Sequence, residues 1–395
     1  MRPEIRQYLL VTGNYWAFTL TDGALRMLVV LHFYSLGYGA LDIALMFLFY
    51  EFFGVVTNLV GGWLGARVGL NRTMNIGLAL QIAALGMLLV PAEWLTVIWV
   101  MMAQALSGIA KDLNKMSAKS SIKGLVVDGT LFKWVAALTG SKNALKGLGF
   151  FLGAGSLALF GFQATIAGMA GLLTLVWVFS LITLPNAMGK ASAKPKFSEV
   201  FSSDPLINRL SAARTFLFGA RDVWFVVALP VFLAESLNWE HWQTGTLMAS
   251  WVIGYGAVQG FAPKLIRGQP RLFALGLPLI AMPVVIALCV YYSLSLPLTL
   301  IAGLVVFGVL FALNSSVHSY LIVHYARQDG VSLDVGFYYM ANAMGRLIGT
   351  LLSGYVYQVY GLVECLLISA LMLGLATWIA APLDRLNRDS SATSQ

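Results

Sequence analysis

Runs of about twenty apolar residues recur along the chain, each ended by Gly, Pro or a cluster of polar side chains. About 20 helical residues cross the hydrocarbon core of a bilayer. The runs therefore predict helices at 12–34, 41–63, 73–91, 95–117, 134–158 and 162–185. A second set follows at 209–233, 242–265, 272–293, 298–323, 335–359 and 362–382. Between the sets lies the longest polar stretch, "PNAMGKASAKPKFSEVFSSDPLIN". The pattern predicts an all-α membrane protein of twelve transmembrane helices in two six-helix bundles, residues 1–185 and 208–395, joined by a cytoplasmic linker at 186–207. The halves also repeat weakly. At an offset of 200, Lys146 meets Arg346, Gly149 meets Gly349 and Gly161 meets Gly361, and parallel six-helix halves are the build of many secondary transporters.

Composition agrees with the pattern. The 395 residues are 59% hydrophobic and 11% charged, with a mean hydropathy of +0.79, whereas soluble domains carry about 25% charged residues. The formal charge of +8 forms no basic stripe of the kind that binds nucleic acid. Lys and Arg concentrate instead in alternate interhelical segments, among them Arg2, Arg6, Arg67, Arg72, Lys119, Lys123, Lys133, Lys190, Lys194, Lys196, Arg209, Lys264, Arg267, Arg271, Arg327, Arg385 and Arg388, while "SLGYGAL" and "ESLNWEHW" hold none. This bias predicts both termini in the cytoplasm. Cys289 and Cys365 suit neither a disulfide framework nor a metal site. No cleavable signal, metal-ligand cluster, catalytic constellation or cofactor motif is expected, and no nucleotide-binding motif appears.

Charge inside the predicted spans carries the functional signal. Eight cations lie there: Arg26, Lys111, Lys115, Lys142, Lys146, Arg214, Arg221 and Arg346. Four acids accompany them: Asp22, Glu51, Asp112 and Asp222. Each charge at a helix centre costs roughly 2.5–3.5 kcal/mol in lipid, so these groups face one another or a wet cavity, and the cationic surplus calls for an anion. Asp22 and Arg26 share a helix face at i and i+4, which suits either a structural pair or the cavity. Lys111 and Lys115 have a bland reading, snorkelling to the cytoplasm. Lys142 and Lys146, in mid-helix, fit a substrate path better. Arg221 and Asp222 point about 100° apart and do not read as one simple pair. The eight cations are the expected substrate-binding set. Asp22, Glu51, Asp112 and Asp222 are candidates for proton coupling, with Glu51 the most easily titrated because no cation lies near it in sequence. Asn14, Tyr15, Asn114, Asn143, Asn314, His318, Tyr338 and Asn342 are secondary polar candidates, each read first as a helix–helix hydrogen bond.

The segment "GGWLGARVGLNRT" resembles the signature loop of the major facilitator superfamily, G-x-L-x-D-R-x-G-R-R: Gly62, Leu64, Arg67 and Gly69 match, and Ala66 stands where the family has Asp. The stretches "LLVTGNYWAFTLTDGALRMLVVLHF", "QALSGIAKDLNKMSAKS", "LTGSKNALKGLGFFLG" and "FLFGARDVWFVVALPVF" are similar to the ArsJ family of organoarsenical efflux permeases. The superfamily resemblance implies that helices 1, 4, 7 and 10 line a central cavity flanked by helices 2, 5, 8 and 11. Arg26, Lys111 and Arg221 then fall on lining helices, and Lys142, Lys146 and Arg346 on flanking ones. The ArsJ resemblance implies export of 1-arseno-3-phosphoglycerate across a bacterial inner membrane as part of arsenate resistance. Glyceraldehyde-3-phosphate dehydrogenase would supply the cargo by using arsenate in place of phosphate. An organic-phosphate exchanger and a transporter-like receptor for a phosphorylated ligand are the alternatives, and the short tail "DRLNRDSSATSQ" argues against the receptor.

Overall fold

A computed structural model describes residues 3–38, 46–125, 129–184, 190, 196–239, 241–266 and 271–392. Among these residues the regular structure is helical. The first half holds α1 (Pro3–Ser35), α2 (Leu48–Val68), α3 (Leu70–Met87), α4 (Val97–Leu125) and α5 (Leu131–Thr183). The second holds α6 (Pro205–Phe225), α7 (Ala228–Leu237), α8 (His241–Leu265), α9 (Leu272–Tyr291), α10 (Leu296–Tyr325), α11 (Val331–Val359) and α12 (Leu362–Ala392). Arg2, Lys194 and Arg267, residues 186–189 and 191–195 of the expected linker, and the start of the expected 41–63 helix lie outside the described residues.

The expected helices at 134–158 and 162–185 are the two arms of α5, which breaks at Gly161 with a backbone of φ 76° and ψ 177°. The two arms run in opposite directions. Along the first, Tyr8 meets Trp134 and Asp22 meets Lys146, parallel to α1. Along the second, His32 stacks on Phe162 and Asn14 reaches Ser180, antiparallel to α1. By contrast, the expected 209–233 helix is interrupted between α6 and α7 at Val226 and Val227. Other ends follow local chemistry. Asp204 caps α6, accepting from the Leu206 and Ile207 amides at 2.7 and 3.4 Å, with Pro205 in the first turn. Gly69, at φ 105°, divides α2 from α3.

Among the described residues, five stretches are long and apolar enough to cross a bilayer on length and composition alone: 131–183, 205–237, 272–291, 296–325 and 362–384. Their outward faces carry Leu175, Ile182, Leu298, Leu371 and Trp378, all more than half exposed, or nearly three-quarters in the case of Leu175 and Trp378. Such a face suits lipid.

The halves repeat in three dimensions. Gly149 sits against Leu20 and Gly23 where the first arm of α5 crosses α1. Gly349 sits against Gly219 where α11 crosses α6. The turns that follow use Gly161 and Gly361, both at positive φ. Across the halves, Gly336 of α11 packs on Gly62 of α2, and Gly256 of α8 packs on Gly140 of α5. A Cβ at Gly336 would lie 2.8 Å from the Gly62 Cα, so only small residues allow these helices to approach so closely.

The apolar core divides by level. One cluster draws on both halves, joining Tyr8, Met74, Ile122 and Leu138 to Leu210, Leu321, Tyr338 and Leu383. It contains residues near both termini and marks the terminal end of the bundle. Toward the other end the core splits. One cluster, including Phe18, Leu28, Leu85 and Ile166, belongs to the first half. Another, including Trp224, Phe307, Phe311 and Leu373, belongs to the second. The halves are thus joined by apolar packing at the terminal end and parted toward the far end.

Candidate functional site: a cationic cavity between the halves

A cavity of about 130 Å³ opens between the halves. Its wall includes Lys111, Lys115, Lys119, Lys142, Lys146, Arg214, Arg221 and Arg346, with Asp22 the one carboxylate on it. Tyr15, Phe18, Phe218, Tyr255 and Tyr339 supply aromatic surface. Seven of the eight cations expected from sequence therefore share one space. Arg26 is not on the wall; it reaches the cluster through Glu51, which accepts from its Nη2 at 3.4 Å.

Lys119 was expected in a cytoplasmic segment. Instead it is 3% exposed, on the cavity wall, and donates to the Thr139 hydroxyl. The polar run "SAKSSIKG" reads as the end of a span, but α4 continues through it to Leu125. The signal was present in the spacing: Lys111, Lys115 and Lys119 lie at i, i+4 and i+8, on one helix face. The cluster then holds nine cations against four carboxylates.

Pairing also differs from expectation. Asp22 and Arg26 do not pair with each other. Asp22 accepts from Lys146 at 3.1 Å and from the Tyr50 hydroxyl at 2.6 Å. Glu51, which looked free of cations in sequence, meets Arg346 at 3.0 Å, Arg26 at 3.4 Å and Lys111 at 4.0 Å. Arg221 and Asp222, although adjacent, do pair: Arg221 Nε donates to Asp222 Oδ1 at 2.6 Å. Arg346 donates to the other Asp222 oxygen at 3.2 Å. Lys111 and Lys115 do not snorkel to an end of the bundle. Lys115 pairs with Asp112, Lys111 lies 3.7 Å from it, and the Lys111 ammonium stands 3.8 Å from the centre of the Tyr50 ring.

The cations fall into two tiers. The charge-paired tier is Arg26, Lys111, Lys115, Lys146, Arg221 and Arg346. Lys119, Lys142 and Arg214 have no carboxylate within 4.0 Å among the described residues. Chain direction places all three lower. Lys119 is one turn nearer the terminal end than Lys115, Lys142 one turn nearer than Lys146, and Arg214 two turns nearer than Arg221. They form the floor of the cavity.

Neutral groups orient the floor cations. Lys142 donates to Asn143 Oδ1 at 3.0 Å, and Asn143 donates across the halves to Gln259 Oε1 at 2.5 Å. Gln259 donates to the Tyr255 hydroxyl at 2.9 Å, and Tyr255 donates to Ser315 Oγ at 2.9 Å. Arg214 closes the chain, donating from Nη1 to Ser315 Oγ at 3.2 Å and from Nε to Asn342 Oδ1 at 2.9 Å. Its guanidinium lies 3.9 Å from the centre of the Phe218 ring. Amides, hydroxyls and a ring position these three groups without supplying a counter-charge.

Of the secondary candidates, Asn143 and Asn342 belong to this chain, and Tyr15 is on the cavity wall. Asn14 bonds Ser180 and Asn114 its own helix, as helix–helix and local bonds. His318 and Tyr338 are buried off the wall. Tyr50, Thr139, Tyr255, Gln259 and Ser315 were missed, because nothing in their neighbourhoods separates them from ordinary helix polar residues.

Comparison with known proteins agrees with this architecture. Residues 211–394 match the family model described as Major Facilitator Superfamily. The human organic anion transporter MFSD10 (TETRAN) superposes with a TM-score of 0.76 at 15% identity, over 96% of this chain and 100% of that one. The transporter FucP in its outward conformation gives 0.73 at 12% identity, covering 96% and 99%. A bacterial homologue of the iron transporter ferroportin in its outward-facing state gives 0.74 at 16%, covering 94% and 98%. No curated protein matches the sequence. The chain has the membrane-spanning fold of the major facilitator superfamily, and its second half carries that family's sequence pattern.

Proposed function

We propose that the protein is a secondary transporter of a small multivalent organic anion. The observation that carries this reading is the cavity floor, where Lys119, Lys142 and Arg214 from both halves stand with no carboxylate within 4.0 Å among the described residues. Burying such a set is costly unless an anion joins it. Arg214 suits a forked contact with phosphoryl, arsenyl or carboxylate oxygens, while the lysines act as point charges. Lys111, Lys115, Lys146, Arg221 and Arg346 stand along the path above the floor and hand the anion toward it.

The resemblance to organoarsenical permeases selects 1-arseno-3-phosphoglycerate as cargo, supplied by glyceraldehyde-3-phosphate dehydrogenase and exported in arsenate resistance. The side bias of Lys and Arg supports cytoplasmic termini, and the permease resemblance supports a bacterial inner membrane; in that orientation the far end faces outward. The test is uptake of enzymatically generated arsenate ester into inverted membrane vesicles. Accumulation that depends on this chain supports export. Uptake only when the vesicles are preloaded with 3-phosphoglycerate assigns an organic-phosphate exchanger instead. No uptake of either ester rejects the anion reading. Repeating the assay with the proton gradient collapsed, and with the membrane potential clamped, separates proton-coupled from potential-driven movement; Asp22, Glu51, Asp112 and Asp222 are the carboxylates able to carry the proton.

A further inference from the structure

The four carboxylates of the charge cluster are not equivalent. Asp22, Asp112 and Asp222 have side chains 5%, 2% and 0% exposed, whereas Glu51 is 27% exposed. Each of the three aspartates pairs within its own half: Asp22 with Lys146, Asp112 with Lys111 and Lys115, Asp222 with Arg221 and Arg346. Glu51, on α2, takes Arg26 and Lys111 from its own half and Arg346 from the other. Arg26 and Arg346 are themselves about a third exposed. One accessible carboxylate therefore fills a gap between cations of the two halves.

The repeat sharpens this. At the offset of 200, Asp22 corresponds to Asp222 and Lys146 to Arg346, so that ion pair belongs to both halves. Glu51 corresponds to Trp251, whose indole donates to the Leu304 carbonyl. Glu51 is thus added to the duplicated ion pair, and it is the carboxylate that Arg26 meets.

We infer that Glu51 is a tethered counter-ion: it occupies the place between Arg26 and Arg346 that an oxyanion of the cargo takes on binding. The inference rests on the anion-transport reading of the same cavity. A carboxylate and a phosphoryl or carboxyl oxygen make the same charge-assisted contacts to guanidinium, so the exchange conserves the bonds of both arginines. Released from Arg346, Glu51 no longer ties α2 to α11, and the tie between the halves passes to the cargo. Empty and loaded cavities then both carry a polar tie between the halves, while a cavity that has lost both ligand and Glu51 keeps only the glycine packing and the shared core. Glu51 acts through the two arginines and is a positioning residue.

The experiment uses the full chain in nanodiscs of zwitterionic lipid, with inorganic phosphate and glycerol 3-phosphate as probes. Because Glu51 competes with the probe, Glu51→Gln is expected to bind both about tenfold more tightly than the parent, an internal competitor lowering apparent affinity in proportion to its occupancy. Asp22→Asn, which removes the same charge from a pair confined to one half, is expected to show no such gain. Spin labels at L48C and L351C, with Cys289 and Cys365 replaced by Ser, report the α2–α11 separation. Without probe, Glu51→Gln is expected to broaden that distribution, and phosphate to narrow it again. Equal or weaker binding by Glu51→Gln overturns the inference while leaving anion transport standing. If neither protein binds either probe, the anion reading fails, and an unchanged label distance in Glu51→Gln then rejects the tether as well.

Discussion

The two halves agree in one layer of the cavity and disagree in the next. In the upper layer the agreement is residue by residue: Lys146 to Asp22 at 3.1 Å in the first half, Arg346 to Asp222 at 3.2 Å in the second, each pair 124 residues apart. On the floor the same positions have traded roles. Lys142 corresponds to Asn342, and Asn14 to Arg214, so the cation sits on α5 in one half and on α6 in the other. Along α4 and α10 the contrast widens, with Lys111, Lys115 and Lys119 facing Phe311, Ser315 and Ser319 at the offset. A duplicated ion pair serves packing that both halves need. Unlike floors fit the proposed ligand, which has no reason to be two-fold symmetric.

The sharpest way to break that comparison is to remove one acid of the duplicated pair. Asp222 is fully buried between Arg221 and Arg346. Asp222→Asn is expected to cost about 3–5 kcal/mol, the usual result of stranding buried charge. Asp22→Asn leaves one lysine short and is expected to cost less, so the two halves should differ in thermal unfolding in detergent. Equal losses would show that the second arginine adds nothing.

A smaller effect is expected on the floor, and on a different quantity. Arg214→Gln and Lys119→Gln should each slow anion uptake by roughly 30-fold, about 2 kcal/mol, the scale of a hydrogen bond to a charged group. Stability should hold or rise, because each change relieves repulsion among cations that lack carboxylates. Vesicle uptake read beside the melting temperature checks both; loss of fold with loss of uptake would return these residues to a structural role.

The smallest effect belongs to the turn. Gly161→Ala forces a side chain into φ 76°, ψ 177°, at a cost of about 1–3 kcal/mol. Gly361→Ala at φ 107° should cost a similar amount if the repeat extends to the turns. Melting temperatures of the two variants, compared directly, test that equivalence.

Which parts of this were legible in the sequence follows from the range of the forces involved. Helical passes depend on local runs of apolar residues, and the runs placed nearly all of them. The exception is local too: α6 gives way to α7 at Val226 and Val227, where Pro230 has no amide to offer the Val226 carbonyl. In-membrane cations were visible because lipid tolerates them so poorly. Their partners were not. Asp22 has Arg26 four residues away, yet its cation is Lys146, because the parallel crossing of α1 and α5 at Gly23 and Gly149 brings that ammonium closer than the i+4 guanidinium. Glu51 and Arg346 lie 295 residues apart. The one long-range clue was the repeat itself, which aligns Asp22 with Asp222 as plainly as Lys146 with Arg346.

The joined core at the terminal end has a consequence for the empty molecule. Residues such as Ile122, Leu210 and Tyr338 are dry there, packed across the halves. Turning the cavity round would wet the faces they now hide, whereas at the far end the two clusters are already separate. Wetting apolar surface costs about 25 cal/mol per Å², a cost that closing the far end has to offset before the cavity can turn. Where that offset falls short, a ligand offered at the terminal end meets a minority form, and its apparent dissociation constant is raised by the inverse of that form's population. Any substitution that loosens this seam should therefore look, in a transport assay, like a gain in affinity on one side of the membrane and a loss on the other.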